Sequence, residues 1–458
     1  MSEAGARIGE TAQLAEARVR LLPDNAEAFA IRALSAREAT ERLDLLYYAW
    51  LGDATGRRLA SEVLEAAERG VRVRLLLDDL HVLEAEFGLG RLDAHPNVEV
   101  RLYNPFPLRR LGSAGALLTM LVAKRRLNHR MHNKCWIMDG RLVIAGGRNI
   151  GDEYFGAASQ FNFRDLDLVI EGEEPARAAT AIFEAYWSSA RAQPLGAVFQ
   201  PPLAPPPALD GAPEVTGRLA DRLADGAALR VAPERVRIIA DPPRKRLGRR
   251  RANDVLSGLR RLIGAAEREV LLVSPYFVPG GRGSRLLAGL ARSGVTVRVV
   301  TNSLAATDVL AVHGGYARYR RRLLRAGVAL HELKRGGQEG SSIFGSSGEA
   351  SLHTKALCVD GRLAFVGSFN FDPRSAHLNT EMGVLVEDQR LAAQLREEVE
   401  RLADPAHSWR VRLDGLVLRW DDRAPDGRTR VWEDEPEARL GRRLLARLVG
   451  YLPIEPHL

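Results

Sequence analysis

Two short strings in this chain repeat a pattern suited to chemistry on phosphorus. His132-Asn133-Lys134 and His353-Thr354-Lys355 each set a histidine and a lysine two residues apart. In each copy four residues lead on to an aspartate, Asp139 or Asp360. Six more lead to Gly146-Gly147-Arg148-Asn149 or to Gly367-Ser368-Phe369-Asn370. The full pattern is expected on the order of once in 10⁵ chains of this composition, so two copies are not chance. Imidazole attacks or moves protons near neutral pH. An ammonium or a carboxamide neutralises charge developing on oxygen. One copy is half a site: displacement at a phosphodiester needs a nucleophile on one side of phosphorus and an acid on the other. Two copies face to face supply both histidines, with Lys134, Lys355, Asn149 and Asn370 on the phosphoryl oxygens.

Lysine is scarce elsewhere. Of 66 basic residues only Lys124, Lys134, Lys245, Lys334 and Lys355 are lysine. Two of these five follow a histidine, so those positions require a compact ammonium and not a guanidinium. A reactive histidine also needs its second ring nitrogen held by a carboxylate. Asp165 follows the first copy and Glu381 the second at similar distance, and these are the expected partners, with Asp167 in reserve. The sequence presents no acidic or Cys/His cluster for a metal, and neither metal nor cofactor is expected.

The elements that must position these groups can be read from the same strings. CWIM-DG-RLVIA and ALCV-DG-RLAFV are each an apolar run, Asp-Gly and a second apolar run, a strong hairpin signal. A two-residue turn pairs 138 with 141, hence His132 with Gly147 and His353 with Ser368. This returns each asparagine beside its histidine and leaves Asp139 and Asp360 at the far turn, in structural roles. Cys135 and Cys358, the only cysteines, fall in these runs and read as small buried hydrophobes. Upstream of each hairpin lies a strand, a helix ending at glycine, and a second strand: 43–50, 59–70 and 71–79, then 268–279, 284–294 and 295–302. The chain is therefore an internal duplication with a parallel strand–helix–strand unit in each copy.

The Pro/Ala-rich stretch 193–213 separates the copies as a semi-rigid connection, and the basic stretch 241–251 and the Gly/Ser-rich stretch 336–350 read as loops. The expected division is 1–195, 196–255 and 256–458. The chain is 46% hydrophobic and 27% charged, with a formal charge of +8, which favours anionic partners. No run suffices to span a bilayer, and the first twenty residues do not read as a signal peptide, so the expected place is the cytoplasm or the inner membrane surface. Residues 108–130 form a short apolar stretch bracketed by arginines. It reads either as a core helix or as an interfacial helix that brings lipid to His132.

The second copy matches the signature His-x-Lys-x4-Asp-x6-Gly-Ser-x-Asn of the phospholipase D superfamily in full, and the first departs from it at Gly147. With GGRNIGDEYF (146–155), YYAW (47–50), RVRLLLDDL (72–80), TNSLAATDVLAVHGGYARYR (301–320) and LPIEPHL (452–458), the chain resembles bacterial cardiolipin synthases of the class without N-terminal transmembrane helices. The resemblance implies an α/β fold. Two pseudo-symmetric α/β/α sandwich domains, each with a mixed, largely parallel sheet, would pack around one shared site. It implies a ping-pong phosphatidyl transfer through a phosphohistidine, with His132 as nucleophile and His353 as acid and base. Substrates would be phospholipids: phosphatidylglycerol, with phosphatidylethanolamine as a second candidate. Ser368, Gly147, Arg148, His313 and Tyr316 would line the pocket. A monomer would suffice, and nucleic acid is not the expected partner. Hydrolysis of phospholipid, and nuclease or phosphodiesterase activity, use the same motifs and remain the competing readings. A non-enzymatic scaffold is disfavoured by two intact motifs.

Overall fold

The computed structural model describes residues 16–451 apart from 85, 107–127, 160, 199–212, 225–227, 246–253, 336–348 and 424–426. The apolar stretch before His132 and most of the Pro-rich stretch lie outside the described residues.

Each copy builds one large sheet, and the strands follow the same spatial order in both. In the first, Ala17–Leu22, Asp167–Glu171, Leu142–Gly146, Cys135–Met138, Arg42–Tyr47, Arg72–Asp78, Val98–Tyr103 and Ala192–Pro194 lie side by side. In the second the equivalents are Val236–Ala240, Met382–Glu387, Leu363–Gly367, Ala356–Val359, Glu269–Val273, Thr296–Asn302, Ala329–Leu333 and Ser408–Asp414. The duplication thus extends through eight strands. Leu229–Val231 adds an edge strand to the first sheet, and Val417–Arg423 and Thr429–Trp432 extend the second. Both sheets are mixed. Their parallel part is confined to the three strands around the crossover helices, and the flanking ladders are antiparallel, so the parallel share is smaller than expected from sequence.

The crossover units fall where the periodicity puts them. Helix Ala54–Glu68 starts at the Asp53 cap, which accepts the Gly56 amide, and gives way at Gly70, whose φ of 98° suits glycine. Its counterpart Gly280–Arg292 gives way at Gly294, φ 95°. Both helices begin four or five residues earlier than the apolar pattern suggests, because a cap and first turn need no buried side chain.

Alternation along the strands separates three cores. Leu43, Leu45 and Tyr47 point to the outer face of the first sheet, under helices Asn25–Glu38 and Ala54–Glu68. Leu46, Leu76, Ile137, Val143 and Ile170 point inward, where they join Leu271, Val273, Val366 and Val384 of the second sheet. Helices Glu173–Trp187 and Gln389–Ala403 fill the space between the sheets with Phe183, Trp187, Leu395 and Leu402. The two copies therefore share one apolar core. Cys135 and Cys358 are free, buried and part of it. Burial pushes the Cys135 thiol up to about 12.

The chain passes from one sheet to the other between Val231 and Val236, inside the segment expected to connect the domains. Its described residues include secondary structure: Leu219–Ala224 is a helix, and Leu229–Val231 and Val236–Ala240 are strands of different sheets.

Candidate active site

Both hairpins form, one residue out of the expected register. Asp139 and Gly140 have φ of 51° and 62°, and Asp360 and Gly361 have 54° and 63°. Such turns need two successive positive φ values, which Asp-Gly tolerates. The Arg141 amide closes the turn on the Met138 carbonyl at 3.0 Å, but the ladder pairs Met138 with Leu142 and Val359 with Leu363. One extra residue, Arg141 or Arg362, intervenes as in a bulge. The pairing of His132 with Gly147 and of His353 with Ser368 is thereby corrected. The ladders also start later, at Cys135 and Ala356, so the His-x-Lys segments precede the strands.

The turn aspartates face away from the chemistry. Asp139 accepts the amides of Thr40, Glu41 and Arg42 at 3.0, 2.8 and 2.9 Å. Asp360 accepts those of Glu267, Arg268 and Glu269 at 3.1, 2.8 and 2.9 Å. Burial pushes both carboxyls up, but these backbone donors outweigh it and hold them below the ordinary value. Each motif aspartate thus clamps its hairpin to the start of the first parallel strand.

What pins each histidine comes from the other copy. The His132 amide donates to the Thr380 carbonyl at 2.9 Å, and the Thr380 amide donates to the Arg130 carbonyl at 2.9 Å. The Thr380 hydroxyl donates to Asn133 Oδ1 at 2.9 Å. Reciprocally, Glu349–Leu352 pairs in parallel with Phe161–Arg164, and the amides of His353 and Thr354 both donate to the Arg164 carbonyl at 2.8 and 3.0 Å. Thr380 and Arg164 immediately precede the two carboxylates. Glu381 therefore meets His132, with Oε2 2.9 Å from Nδ1, and Asp165 meets His353, with Oδ2 2.5 Å from Nδ1. The order along the chain points each hairpin to the carboxylate that follows it. The pairs are crossed.

His132 Nδ1 also lies 3.1 Å from the Ser368 carbonyl. Two acceptors at one nitrogen demand that it carry the proton, which leaves the lone pair on Nε2. Burial presses Glu381 toward its neutral form, but His132 and Lys134 beside it carry it below the ordinary value. The Ser368 hydroxyl reinforces this with a 2.5 Å hydrogen bond to Oε2. Burial takes His132 down to about 4 against the pull of Glu381. His353 goes well below its ordinary value through burial and then the charges of Lys355, Lys134 and His132. Asp165 is raised by burial against Lys355 and Arg148.

Both lysines are buried and bend back to the carbonyl of their own histidine: Lys134 Nζ to His132 at 2.7 Å, and Lys355 Nζ to His353. Burial lowers both, Lys355 to about 8, opposed by Asp165 and Glu381 together. The lysines, histidines and crossed carboxylates form a single electrostatic cluster. Asn149 and Asn370 flank it unequally. Asn149 donates to the Tyr154 hydroxyl at 2.9 Å and accepts the Ala49 amide at 3.3 Å, whereas Asn370 Oδ1 is buried and has no partner among the described residues.

The departure at Gly147 has a steric cause. A Cβ there would lie 2.1 Å from Asp165 Oδ1. Aspartate is one methylene shorter than glutamate, so its carboxylate rides directly over the backbone of residue 147. In the other half the longer Glu381 leaves room for Ser368. Gly with Asp and Ser with Glu are two solutions to one packing problem.

Three expected pocket residues lie elsewhere. Arg148 is buried as a strut, donating to the carbonyls of Leu22, Pro23 and Asp165 and lying 3.3 Å from Asp167. Tyr316, on the buried face of helix Leu310–Arg325, donates to Glu332 at 3.0 Å. His313 Nε2 sits 3.3 Å from Glu435 and 2.7 Å from Arg320, beside a separate cavity of about 770 Å³. Residues that spacing could not nominate do surround the histidines. Tyr48 meets His132 edge-on at 5.0 Å and lies 5.1 Å from Lys134 Nζ. Tyr154 and Phe163 lie 5.3 and 4.7 Å from His353. Lys245, from the basic stretch, donates to Asp241 at 2.8 Å, and Asp241 accepts the Glu381 amide at 3.0 Å, so this lysine braces the carboxylate.

A family model described as "Cardiolipin synthase, PLD-like domain" matches residues 34–187 and again 259–403, one match for each copy. The chain is 39% identical to cardiolipin synthase C of Escherichia coli (strain K12), over 95% of this chain and 94% of that one. It is 28% identical to the cardiolipin synthase of Geobacillus kaustophilus, over 83% and 65%. Its fold is similar to the crystal structure of phosphatidylserine synthase from Haemophilus influenzae, with a TM-score of 0.64 at 16% identity, covering 98% of this chain and 96% of that one. Twice-matched domain, a relative matched over nearly its whole length and shared fold agree: the chain belongs to the phospholipase-D-like cardiolipin synthase family.

Proposed function

We propose that this phosphatidyltransferase works by a two-histidine exchange that turns phosphatidylglycerol into cardiolipin. The carrying observation is the crossed pairing: each histidine has Nδ1 engaged by a carboxylate from the opposite copy, so Nε2 is left for chemistry at both. His132 is the better nucleophile, since the anionic Glu381 with its Ser368 donor stabilises the positive charge His132 gains on attack. Nε2 of His132 bonds to phosphorus and the phosphorus–oxygen bond to the headgroup breaks. His353, its proton affinity raised by the bound phosphodiester anion, gives its Nε2 proton to the departing alkoxide. In the second half, neutral His353 takes the proton of the incoming hydroxyl as that oxygen displaces His132. Lys134 and Lys355 oppose the charge on the non-bridging oxygens. The same chain supplies both histidines, so a monomer suffices. The substrate lies in a bilayer, and we place the enzyme at the inner surface of the membrane; among the described residues no helix is long and apolar enough to cross one.

The test incubates the protein with labelled phosphatidylglycerol, with and without phosphatidylethanolamine, and resolves products by mass. Cardiolipin is expected, and His132→Ala and His353→Ala each lose at least about a thousandfold in rate. Phosphatidic acid alone would mean hydrolysis. Cleavage of DNA with no lipid turnover would replace the lipid reading by a nuclease.

A further inference from the structure

Helix Leu440–Tyr451 is amphipathic the wrong way round for a helix packed on a protein. Ala446 is buried, and Ala446 and Gly450 face helix Leu310–Arg325, where a Cβ on Gly314 would stand 2.9 Å from the Ala446 carbonyl and 3.0 Å from the Gly450 nitrogen. The leucines point outward: Leu440, Leu444, Leu445 and Leu448 are 68%, 55%, 50% and 62% exposed. They recur at i, i+4 and i+8, with Leu445 beside them, and so form one continuous apolar stripe. Among the described residues every other exposed large apolar side chain (Val309, Leu416, Val417 and Val431) also belongs to the second copy. Scattered singly they would mean nothing; four on one short helix do.

We propose that this helix is a docking surface for a phospholipid bilayer carrying anionic headgroups, lying in the interface with its leucines among the acyl chains. The charge on it fits that occupant. Residues 439–451 contain Arg439, Arg442, Arg443 and Arg447 and no acidic residue. Arg443 and Arg447 share the single carboxylate of Asp434, each at 3.2 Å, which leaves excess positive charge at the stripe's edge. Twelve residues span about 18 Å, too short to cross a bilayer and sufficient to lie along it.

Its anchorage ties this surface to the reacting groups. Arg442 donates to the Leu304 carbonyl at 2.8 Å and to that of Thr307. Two residues before Leu304, Asn302 accepts the Leu352 amide at 3.0 Å and donates to the Leu352 carbonyl at 3.0 Å. Leu352 precedes His353. The helix is thus seated on the loop at the end of the strand that holds the His353 segment, and a bilayer against it faces the end of the sheet where substrate must enter. This inference rests on the lipid reading above and adds to it the element that meets the lipid.

The experiment compares wild type with the Leu444→Glu/Leu448→Glu double variant. Both side chains are exposed, so the variant keeps its fold, checked by an unchanged Tm. Flotation with phosphatidylcholine vesicles, with and without phosphatidylglycerol, reads binding. Wild type binds the phosphatidylglycerol vesicles, and the variant binds about tenfold less or worse. Its turnover of bilayer phosphatidylglycerol falls in parallel, while turnover of short-chain phosphatidylglycerol dispersed as monomers is unchanged. Undiminished vesicle binding by the variant would overturn the proposal. So would sedimentation showing that the double substitution only splits a wild-type dimer. A wild type that binds vesicles yet turns over neither bilayer nor monomeric lipid would defeat the enzymatic reading and leave the docking surface standing.

Discussion

At the scale of the residue, the two halves solve one problem with different atoms. Each must set a carboxylate against an imidazole from the opposite copy. Glu381 reaches His132 with Ser368 beneath it, and Asp165 reaches His353 over bare Gly147. Gly147→Ser, which would make the first copy match the second, therefore drives Asp165 off His353. A kcat loss of about ten- to hundredfold is expected, with little change in KM. Lengthening the acid should restore the fit, so Gly147→Ser/Asp165→Glu is predicted to recover most of the lost rate. Steady-state kinetics on the three proteins decides it. Equal loss in the single and double variants would show that residue 147 acts by some route other than the carboxylate.

At the scale of the element, the hairpin matters more than its ladder. Asp139 and Asp360 sit at the far turns, and each gathers three backbone amides and so sets where the His-x-Lys segment begins. Asp139→Ala leaves those amides without their partner and should cost about 1–3 kcal/mol of stability, read by urea unfolding. Activity per folded molecule should fall as well, because the clamp sets hairpin position. Asp139→Asn, which keeps one acceptor oxygen, should lie between. A variant with full stability and no activity would move Asp139 from the scaffold to the chemistry. The bulge at Arg141 belongs to this scale too. Asp-Gly predicts a turn, but whether the ladder resumes at once or one residue later depends on neighbouring strands, and a slip of one changes every facing pair.

At the scale of the whole molecule, joining the halves creates the site's acid–base properties. Neither copy alone would bury both lysines beside two carboxylates. In the assembled protein burial brings Lys355 to about 8 and His132 to about 4. The signs differ in consequence. As pH falls through about 4, His132 gains the proton that removes its Nε2 lone pair. As pH rises through about 8, Lys355 loses the charge that the proposed mechanism sets against the phosphoryl oxygens. The profile of kcat/KM should therefore rise with pH near 4 and fall on the alkaline side, first as His353 loses its proton below the ordinary histidine value and further near 8 as Lys355 does. An alkaline limb at the ordinary lysine value of 10.5 would rule Lys355 out as its source.

The sequence by itself determined the candidate reacting residues and the duplication. His132, Lys134, His353 and Lys355 were legible because repeated spacing needs no tertiary information. The two crossover units were legible because local apolar period and terminal glycines are properties of short segments. Only the tertiary structure decided who serves whom. That Glu381 belongs to His132 and Asp165 to His353, that Arg148 is a strut, and that His313 and Tyr316 sit in a separate network all depend on contacts between residues far apart in the chain. Linear order holds no trace of a crossed pair: both arrangements place each carboxylate at the same distance after its hairpin. The outward leucines of Leu440–Tyr451 show the same limit, since a periodic stripe states that a helix has an apolar face and not which way the fold turns it.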